Sequence, residues 1–205
     1  MANILRIHKD NPQDRLIQQA IHTIRNGGLI IYPTDSGYAI GWSMENLKAP
    51  KIVSQIKDLD NDHHFTLMCE NISQITDFAL VNNVAFRLIK QHTPGAYTFI
   101  LPATRRVPKK LQHQKRRSIG IRISAHGVVQ ALLEALGEPM MSSSLELPGE
   151  DMYEWDADDI NVRIGHRVNS IIDSGFTPQE PSTVVDLTGD APVVIREGKG
   201  EIDFV

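Results

Sequence analysis

Residues 29–41 read Leu-Ile-Ile-Tyr-Pro-Thr-Asp-Ser-Gly-Tyr-Ala-Ile-Gly. The β-branched apolar run Leu29–Ile31 predicts a buried strand. It ends at Tyr32-Pro33, where a proline lacks the N–H a ladder needs and should stop pairing. The polar turn Thr34-Asp35-Ser36-Gly37 follows, and Tyr38–Trp42 opens a second strand. Gly37 permits a sharp bend or the close approach of a ligand. The segment reads as a strand mouth carrying two hydroxyls and a carboxylate, or equally as an ordinary tight hairpin, since Ser, Asp and Gly are common turn residues.

The same alternation continues outward. Leu5–His8 predicts a strand. Asn11-Pro12 predicts a helix start, with Asn as N-cap, Pro in the first turn and Asp14 near the positive end. Leu16, Ile17, Ala20, Ile21 and Ile24 recur at helical spacing up to Gly27-Gly28. Further strands are expected at Phe65–Cys69, Tyr97–Leu101, Ser118–Ile123, Met140–Ser144, Ser170–Ile172, Thr183–Leu187 and Val193–Arg196. Helices are expected from Asn46 to Lys57, near 72–79 and 82–92, over Val128–Leu136 with Gly137 as cap, and from Asp156 to about Arg167. Strands alternating with helices predict an α/β fold. One twisted, mostly parallel or mixed sheet with flanking helices should span residues 1–205 as a single domain. The segment 174–183, rich in Pro, Gly and Ser, is expected to be a loop crossing the functional face.

With 205 residues, 41% apolar and 22% charged, the chain has the composition of an ordinary soluble globular protein. No apolar stretch reaches the length of a membrane span and no signal-peptide core is visible. Cys69 is the single cysteine, which excludes an internal disulfide and fits a reducing, cytoplasmic compartment. Its apolar neighbours predict a buried, inert thiol. Met140, Met141 and Trp42 read as core, and Trp155 as packing or exposed in its acidic loop.

The net charge of -4 hides an asymmetry. Phe78 to Leu133 holds no Asp or Glu but ten Lys and Arg; from Glu134 onward sixteen acids face four bases. Arg105, Arg106, Lys109, Lys110, Lys115, Arg116 and Arg117 crowd together. Such a stretch predicts a positive surface for a polyanion, with phosphate-rich ligands or RNA as candidates. The alternative is a solvated loop balanced by the acidic C-terminal part.

There is no P-loop, no G-x-G-x-x-G, no H-E-x-x-H and no G-x-S-x-G. Neither the adjacent His63-His64 nor the acidic run Glu146–Asp159 has metal-ligand spacing, so no metal site is expected. Instead, hydroxyls and arginines gather at expected strand ends: Thr34 and Ser36, Ser118 with Arg122, Ser142–Ser144, Ser182 with Thr183, and Arg196. In open α/β sheets ligands bind at strand ends, and hydroxyls with Arg suit a phosphate or carboxylate. Taken singly, each serine is as readily a turn or a cap.

Six segments in order resemble the YrdC/YciO family, most closely its YciO branch: Tyr32-Pro-Thr-Asp-Ser-Gly-Tyr, Thr93-Pro-Gly-Ala-Tyr-Thr98, Gly120-Ile-Arg-Ile123, Pro139-Met-Met-Ser-Ser-Ser144, Pro181-Ser-Thr-Val-Val-Asp186 and Ile195-Arg-Glu-Gly198. The resemblance covers nearly the whole chain. It implies a twisted α/β fold with a large concave, positive cavity. It also implies relation to threonylcarbamoyl-AMP synthases, which join threonine, bicarbonate and ATP and release pyrophosphate for tRNA threonylcarbamoyladenosine modification. Family members are also described as binding double-stranded RNA. By this resemblance Thr34, Arg122, Ser142 and Ser182 would hold threonine. Lys57, Ser118, Ser144 and Arg196 would hold ATP with its Mg²⁺, and Lys57 and Ser144 would serve catalysis.

The synthases carry Lys-x-Arg and Ser-x-Asn around the triphosphate; here these read Lys57-Asp58-Leu59 and Ser144-Leu145-Glu146. Cys69 stands where some synthases have a threonine-binding His. Losing a charge-assisted bond costs roughly 1.5–3 kcal/mol, so two such changes lower a rate by about a hundredfold or more. The expectation is an ATP-binding, synthase-like nucleotidyltransferase with weakened or altered catalysis. The alternative is a non-catalytic RNA-binding protein in tRNA, rRNA or ribosome metabolism. A small-molecule binding domain without a nucleic-acid partner is the third reading.

Overall fold

Ten strands pair into one sheet in this computed structural model, which describes residues 1–59, 63, 65–113, 115–177 and 179–204. The strands are β1 (Asn3–Arg6), β2 (Ile30–Thr34), β3 (Gly37–Trp42), β4 (Thr66–Met68), β5 (Tyr97–Pro102), β6 (Ser118–Arg122), β7 (Met140–Ser144), β8 (Ser170–Asp173), β9 (Thr183–Asp186) and β10 (Val193–Arg196). Their spatial order is β1-β8-β2-β3-β7-β4-β6-β5-β9-β10. The sheet is mixed. β1·β8, β2·β8, β4·β6 and β5·β9 are parallel. β2·β3, β3·β7, β4·β7, β5·β6 and β9·β10 are antiparallel. The expected alternation of strands and helices is therefore present, but hairpins make parallel pairing the minority.

Six helices flank the sheet: α1 (Asp14–Arg25), α2 (Ala49–Lys57), α3 (Ile72–Phe78), α4 (Asn83–His92), α5 (Gly127–Leu136) and α6 (Ala157–Ile164). Side chains alternate faces along a strand, and the two cores follow that alternation. Ile31, Ile40, Trp42, Leu67, Phe99, Ile121 and Met141 face α2, α3, α4 and α6. Ile30, Tyr32, Ala39, Met68, Met140 and Ile172 face α1 and α5. Among the described residues two helices cover the second face, and they lie against β1, β2 and β8. Beyond Met68 and Met140, which are register partners, no described helix adds to the core on that face. The candidate cavity lies there.

Local departures from expectation have local causes. Pro33 does not end the strand; it pairs with Tyr38 inside β2. Pairing from β8 reaches only Ile30 and Ile31, so the outer edge of β2 is open at Pro33 and a missing N–H leaves no acceptor unsatisfied there. α1 begins at Asp14 with Gln13 as N-cap. The His8 ring accepts the Asn11 N–H at 3.1 Å, which closes a turn where the sequence suggested a helix start. α6 ends at Ile164, with Gly165 as cap, rather than near Arg167. Its start does follow the sequence: Asp156 accepts the Asp158 and Asp159 N–H groups in a capping box. Cys69, Met140, Met141 and Trp42 are fully buried, and burial pushes the Cys69 thiol up, leaving it inert. Trp155 packs, partly buried, against the larger core.

Candidate functional site

The uncovered face carries a cavity of about 550 Å³. Its floor is built from small side chains at alternate strand positions: Thr66 of β4, Gly120 of β6 opposite it, Ser142 and Ser144 of β7, and Thr98 of β5. Bulky groups at these positions would fill the space, as Met68 and Met140 do one step along. Gly120 is tightly packed here: a Cβ would meet Thr66 Oγ1 at 2.9 Å, so a neighbour would have to shift.

Two arginines, Arg122 and Arg196, supply positive charge to the cavity. Arg122, the last residue of β6, is buried and ion-pairs Asp35 at the tip of the β2–β3 hairpin. Its Nε is buried with no hydrogen-bond partner among the described residues. Arg196 ends β10, where the register slips between Val194 and Arg196 so that Arg196 falls opposite Val184. Such a bulge re-aims a side chain, and both Val184 and Arg196 line the cavity. The guanidinium is fixed by bonds from Nε and Nη2 to the Ser182 carbonyl at 3.1 and 3.0 Å. Ser182 Oγ in turn lies 2.8 Å from Thr98 Oγ1.

Lys57 reaches the same wall from the other side of the sheet. It is the last residue of α2, which stops where Asp58 takes a left-handed conformation. Lys57 Nζ donates to Ser143 Oγ at 2.9 Å and to Ser144 Oγ at 3.2 Å. Burial pushes its pKa down to about 8; the nearby Glu146 carboxylate opposes that shift and Arg196 adds to it. His63 Nε2 stands 3.4 Å from Ser143 Oγ and its ring packs edge-on to Phe65. Its sequence neighbour His64 lies outside the described residues. Among the described residues no group of His, Cys, Asp or Glu gathers at metal-ligand spacing.

Of the residues singled out from the sequence, Arg122, Ser142, Ser144, Ser182 and Arg196 line one cavity, and Lys57 is bonded to its wall. Thr34 and Ser118 do not line it. Thr34 is buried at the hairpin tip, donating from Oγ1 to the Gly37 carbonyl at 2.7 Å. Ser118 is buried at the start of β6 opposite Pro102. Ser142 Oγ is already engaged at 2.6 Å by the Tyr32 hydroxyl, whose pKa burial raises to about 12. Cys69 belongs to the core on the opposite face, so it does not stand in for a ligand-binding histidine. Thr66, Thr98 and His63 are not among the site residues the sequence suggests; Asp35 and Ser143 are, but only as parts of the polar turn and of the serine-rich strand end. A period-two search for Gly, Ser and Thr across neighbouring strands points to Thr66 and Thr98; nothing local distinguishes His63.

The basic residues Arg105, Arg106, Lys109, Lys110, Lys115, Arg116 and Arg117 are all exposed, in the β5–β6 connection. Acids from elsewhere partner some of them: Arg106 pairs Asp77 at 2.9 Å and Arg116 pairs Asp186 at 3.2 Å. Within the 174–183 segment, Gln179 lies against Gly37 at the hairpin tip and Ser182 lines the cavity.

Comparison with known proteins fits this geometry. A family model described as "Telomere recombination" (Sua5_yciO_yrdC) matches residues 22–198. The chain belongs to the Sua5/YciO/YrdC family. It is 50% identical to the Escherichia coli (strain K12) protein YciO over 202 residues, 98% of each chain. The crystal structure of E. coli YciO superposes with a TM-score of 0.96 over the whole of both chains. A threonylcarbamoyl-AMP synthase of Chromobacterium violaceum is 31% identical over 177 residues, 86% of this chain and 91% of that one. The crystal structure of P. abyssi Sua5 complexed with L-threonine is 26% identical, with a TM-score of 0.85 over 95% of this chain and 57% of the Sua5 chain. Among the described residues no helix is long and apolar enough to cross a membrane.

Proposed function

We propose that the cavity on the β7–β4–β6–β5 face binds ATP with its Mg²⁺ together with a threonine-like amino acid. On this reading the chain is a synthase-type nucleotidyltransferase of weakened or altered activity. The observation that carries the reading is the pairing of Arg122, buried with an Nε unpartnered among the described residues, with Arg196 across a floor of hydroxyls. A buried donor without a partner costs about 1–3 kcal/mol, and an anionic ligand satisfies it. Arg122 would take a carboxylate, with Ser142 and Ser182 beside it and Thr34 supporting the hairpin. Arg196, Lys57 and Ser144 would take the triphosphate, Ser118 supporting β6 from behind. The reading has Mg²⁺ arrive on the nucleotide, where it offsets phosphate charge.

What the chain's own groups would do is hold and orient. Lys57⁺ and Arg196 would steady the phosphates while a carbamate oxygen, from the threonine amine and bicarbonate joined with loss of water, attacks the α-phosphorus and pyrophosphate leaves. Leu59 supplies no charge there. Glu146 brings a negative charge close enough to raise the Lys57 pKa, which opposes triphosphate binding. The test is pyrophosphate release from ATP, threonine and bicarbonate, run beside Leu59→Arg/Glu146→Asn. Slow release by the natural chain and a rise of tenfold or more in the variant is the expected result. Silence in both, beside an active synthase control, overturns the enzymatic reading.

A second reading, RNA binding by the 105–117 surface, is favoured by Arg105, Lys109, Lys110 and Arg117, which are exposed and make no ion pair among the described residues. Duplex RNA can be held by phosphate and 2′-OH contacts alone. Salt-dependent retention of duplex RNA on a filter supports it; absence of retention at low salt removes it.

A further inference from the structure

The β5–β6 connection holds a second cavity, of about 680 Å³, which shares no lining residue with the first. Arg105, Lys109 and Arg117 line it, with Thr104, Gln112 and His113 between them. Among the described residues no carboxylate lines it. Arg106 and Arg116, which lie outside the lining, ion-pair Asp77 and Asp186. The three that line the cavity pair with no acid among the described residues.

Like charges drawn together around a hollow repel one another, and folding tolerates this where an anion can sit between them. The backbone agrees. Arg117 is a non-glycine residue at φ 50°, a left-handed conformation that costs of order 1 kcal/mol or more and is concentrated at functional sites. It is held there by the Arg117 N–H to His113 carbonyl bond at 2.9 Å and by the Ala103 N–H to Arg117 carbonyl bond at 2.9 Å.

We infer that this second cavity is a phosphoryl-binding site, separate from the sheet-face cavity, in which Arg105, Lys109 and Arg117 hold one phosphate group of a polyanion. The phosphate belongs either to a free oligophosphate or to a nucleic-acid backbone. The second form deepens the RNA reading above; the first is independent of it. Arginine suits the task because its planar fork binds phosphate oxygens in pairs.

The test is titration of the ¹⁵N-labelled full chain with inorganic triphosphate and, separately, with a short RNA duplex, followed by amide chemical shifts. Saturable shifts are expected in Thr104, Arg105, Lys109 and Arg117. Arg105→Gln/Lys109→Gln should weaken binding at least tenfold. Arg87→Gln/Lys90→Gln removes the same charge from exposed positions of α4 and should change it less than threefold. Arg117→Gly keeps the left-handed backbone and should also weaken binding, which guards against misfolding as the cause. Shifts with RNA that triphosphate displaces assign the phosphate to a nucleic-acid backbone; shifts with triphosphate alone assign it to a free oligophosphate. Equal loss in the two double variants, or no saturable shift with either probe, overturns the inference. The amides of Gly120, Ser142 and Ser144 report the sheet-face cavity independently, so failure of one site is distinguishable from failure of the other.

Discussion

The Asp35 carboxylate ion-pairs the Arg122 guanidinium across 87 residues of sequence, and its second oxygen accepts the Ala125 N–H at 2.8 Å. One side chain thereby ties the β2–β3 hairpin tip to the end of β6 and to the segment leading into α5. It also holds Arg122 at the cavity with Nε left over. The arrangement explains why a turn of unremarkable composition matters: its aspartate supports the cation that the cavity displays.

Removing that support should be felt in stability. Asp35→Asn keeps an acceptor for Ala125 but leaves Arg122 as a buried, uncompensated charge, which typically costs about 3–5 kcal/mol. Urea unfolding should show a loss of about 3 kcal/mol, partly restored in Asp35→Asn/Arg122→Met, where the orphan charge is gone. A single variant as stable as the natural chain contradicts the pairing.

Lys57 makes stability depend on pH. Its folded pKa, about 8, lies below the ordinary 10.5. Below pH 8 both folded and unfolded states carry the proton, and the folded state bears the full penalty of burying it, about 3 kcal/mol at 1.36 kcal/mol per unit. Between pH 8 and 10.5 the unfolded chain binds more protons, so this residue's contribution makes stability rise with pH. The difference in unfolding free energy between the natural chain and Lys57→Met should therefore shift in favour of the natural chain from pH 7 to pH 10. A difference that stays constant over that range contradicts a buried, perturbed lysine.

Arg196 and Ser182 should separate two ligands. Arg196 leans mainly on the Ser182 carbonyl, which any residue provides, at 3.1 and 3.0 Å, with a longer Nη2 contact to Ser182 Oγ at 3.4 Å. Ser182→Ala therefore leaves Arg196 in place and should keep ATP affinity within threefold. Arg196→Ala should weaken ATP by roughly tenfold or more, the loss of a charge-assisted bond. Calorimetric titration with ATP measures both. Equal losses would mean that the serine hydroxyl, not the guanidinium, carries the contact.

Gly120→Ala tests the small-residue floor. The added methyl would lie 2.9 Å from Thr66 Oγ1 and 3.2 Å from the Phe65 carbonyl. Overpacking of this kind costs about 1–3 kcal/mol. Thermal unfolding should show Gly120→Ala below the natural chain and Gly120→Ala/Thr66→Ala recovering part of the loss. A neutral single variant would show that Thr66 moves freely.

Element identity was largely readable because it is local. The period of Ile17, Ala20, Ile21 and Ile24, the Asp156 cap and the β-branched run at 29–31 each specify their structure within a few residues. The hydroxyl-bearing strand ends were readable as types of residue. Asp35 was readable only as a turn residue, because its partner lies on another strand. The basic segment 105–117 was readable as charge, while its division into paired Arg106 and Arg116 and the cavity-lining Arg105, Lys109 and Arg117 was not, since Asp77 and Asp186 arrive from α3 and β9.

By itself, then, the sequence determined the α/β alternation, the two-faced apolar pattern of the strands and the stock of hydroxyls and arginines, for these follow from residue type and short-range period. The tertiary structure decided that β7, β4, β6 and β5 lie side by side with no described helix over one face. It decided that a slipped register turns Arg196 toward that face, and that Lys57 comes through to it from α2. Strand order and helix placement are set by the packing of both cores at once, and no local stretch of chain contains that information.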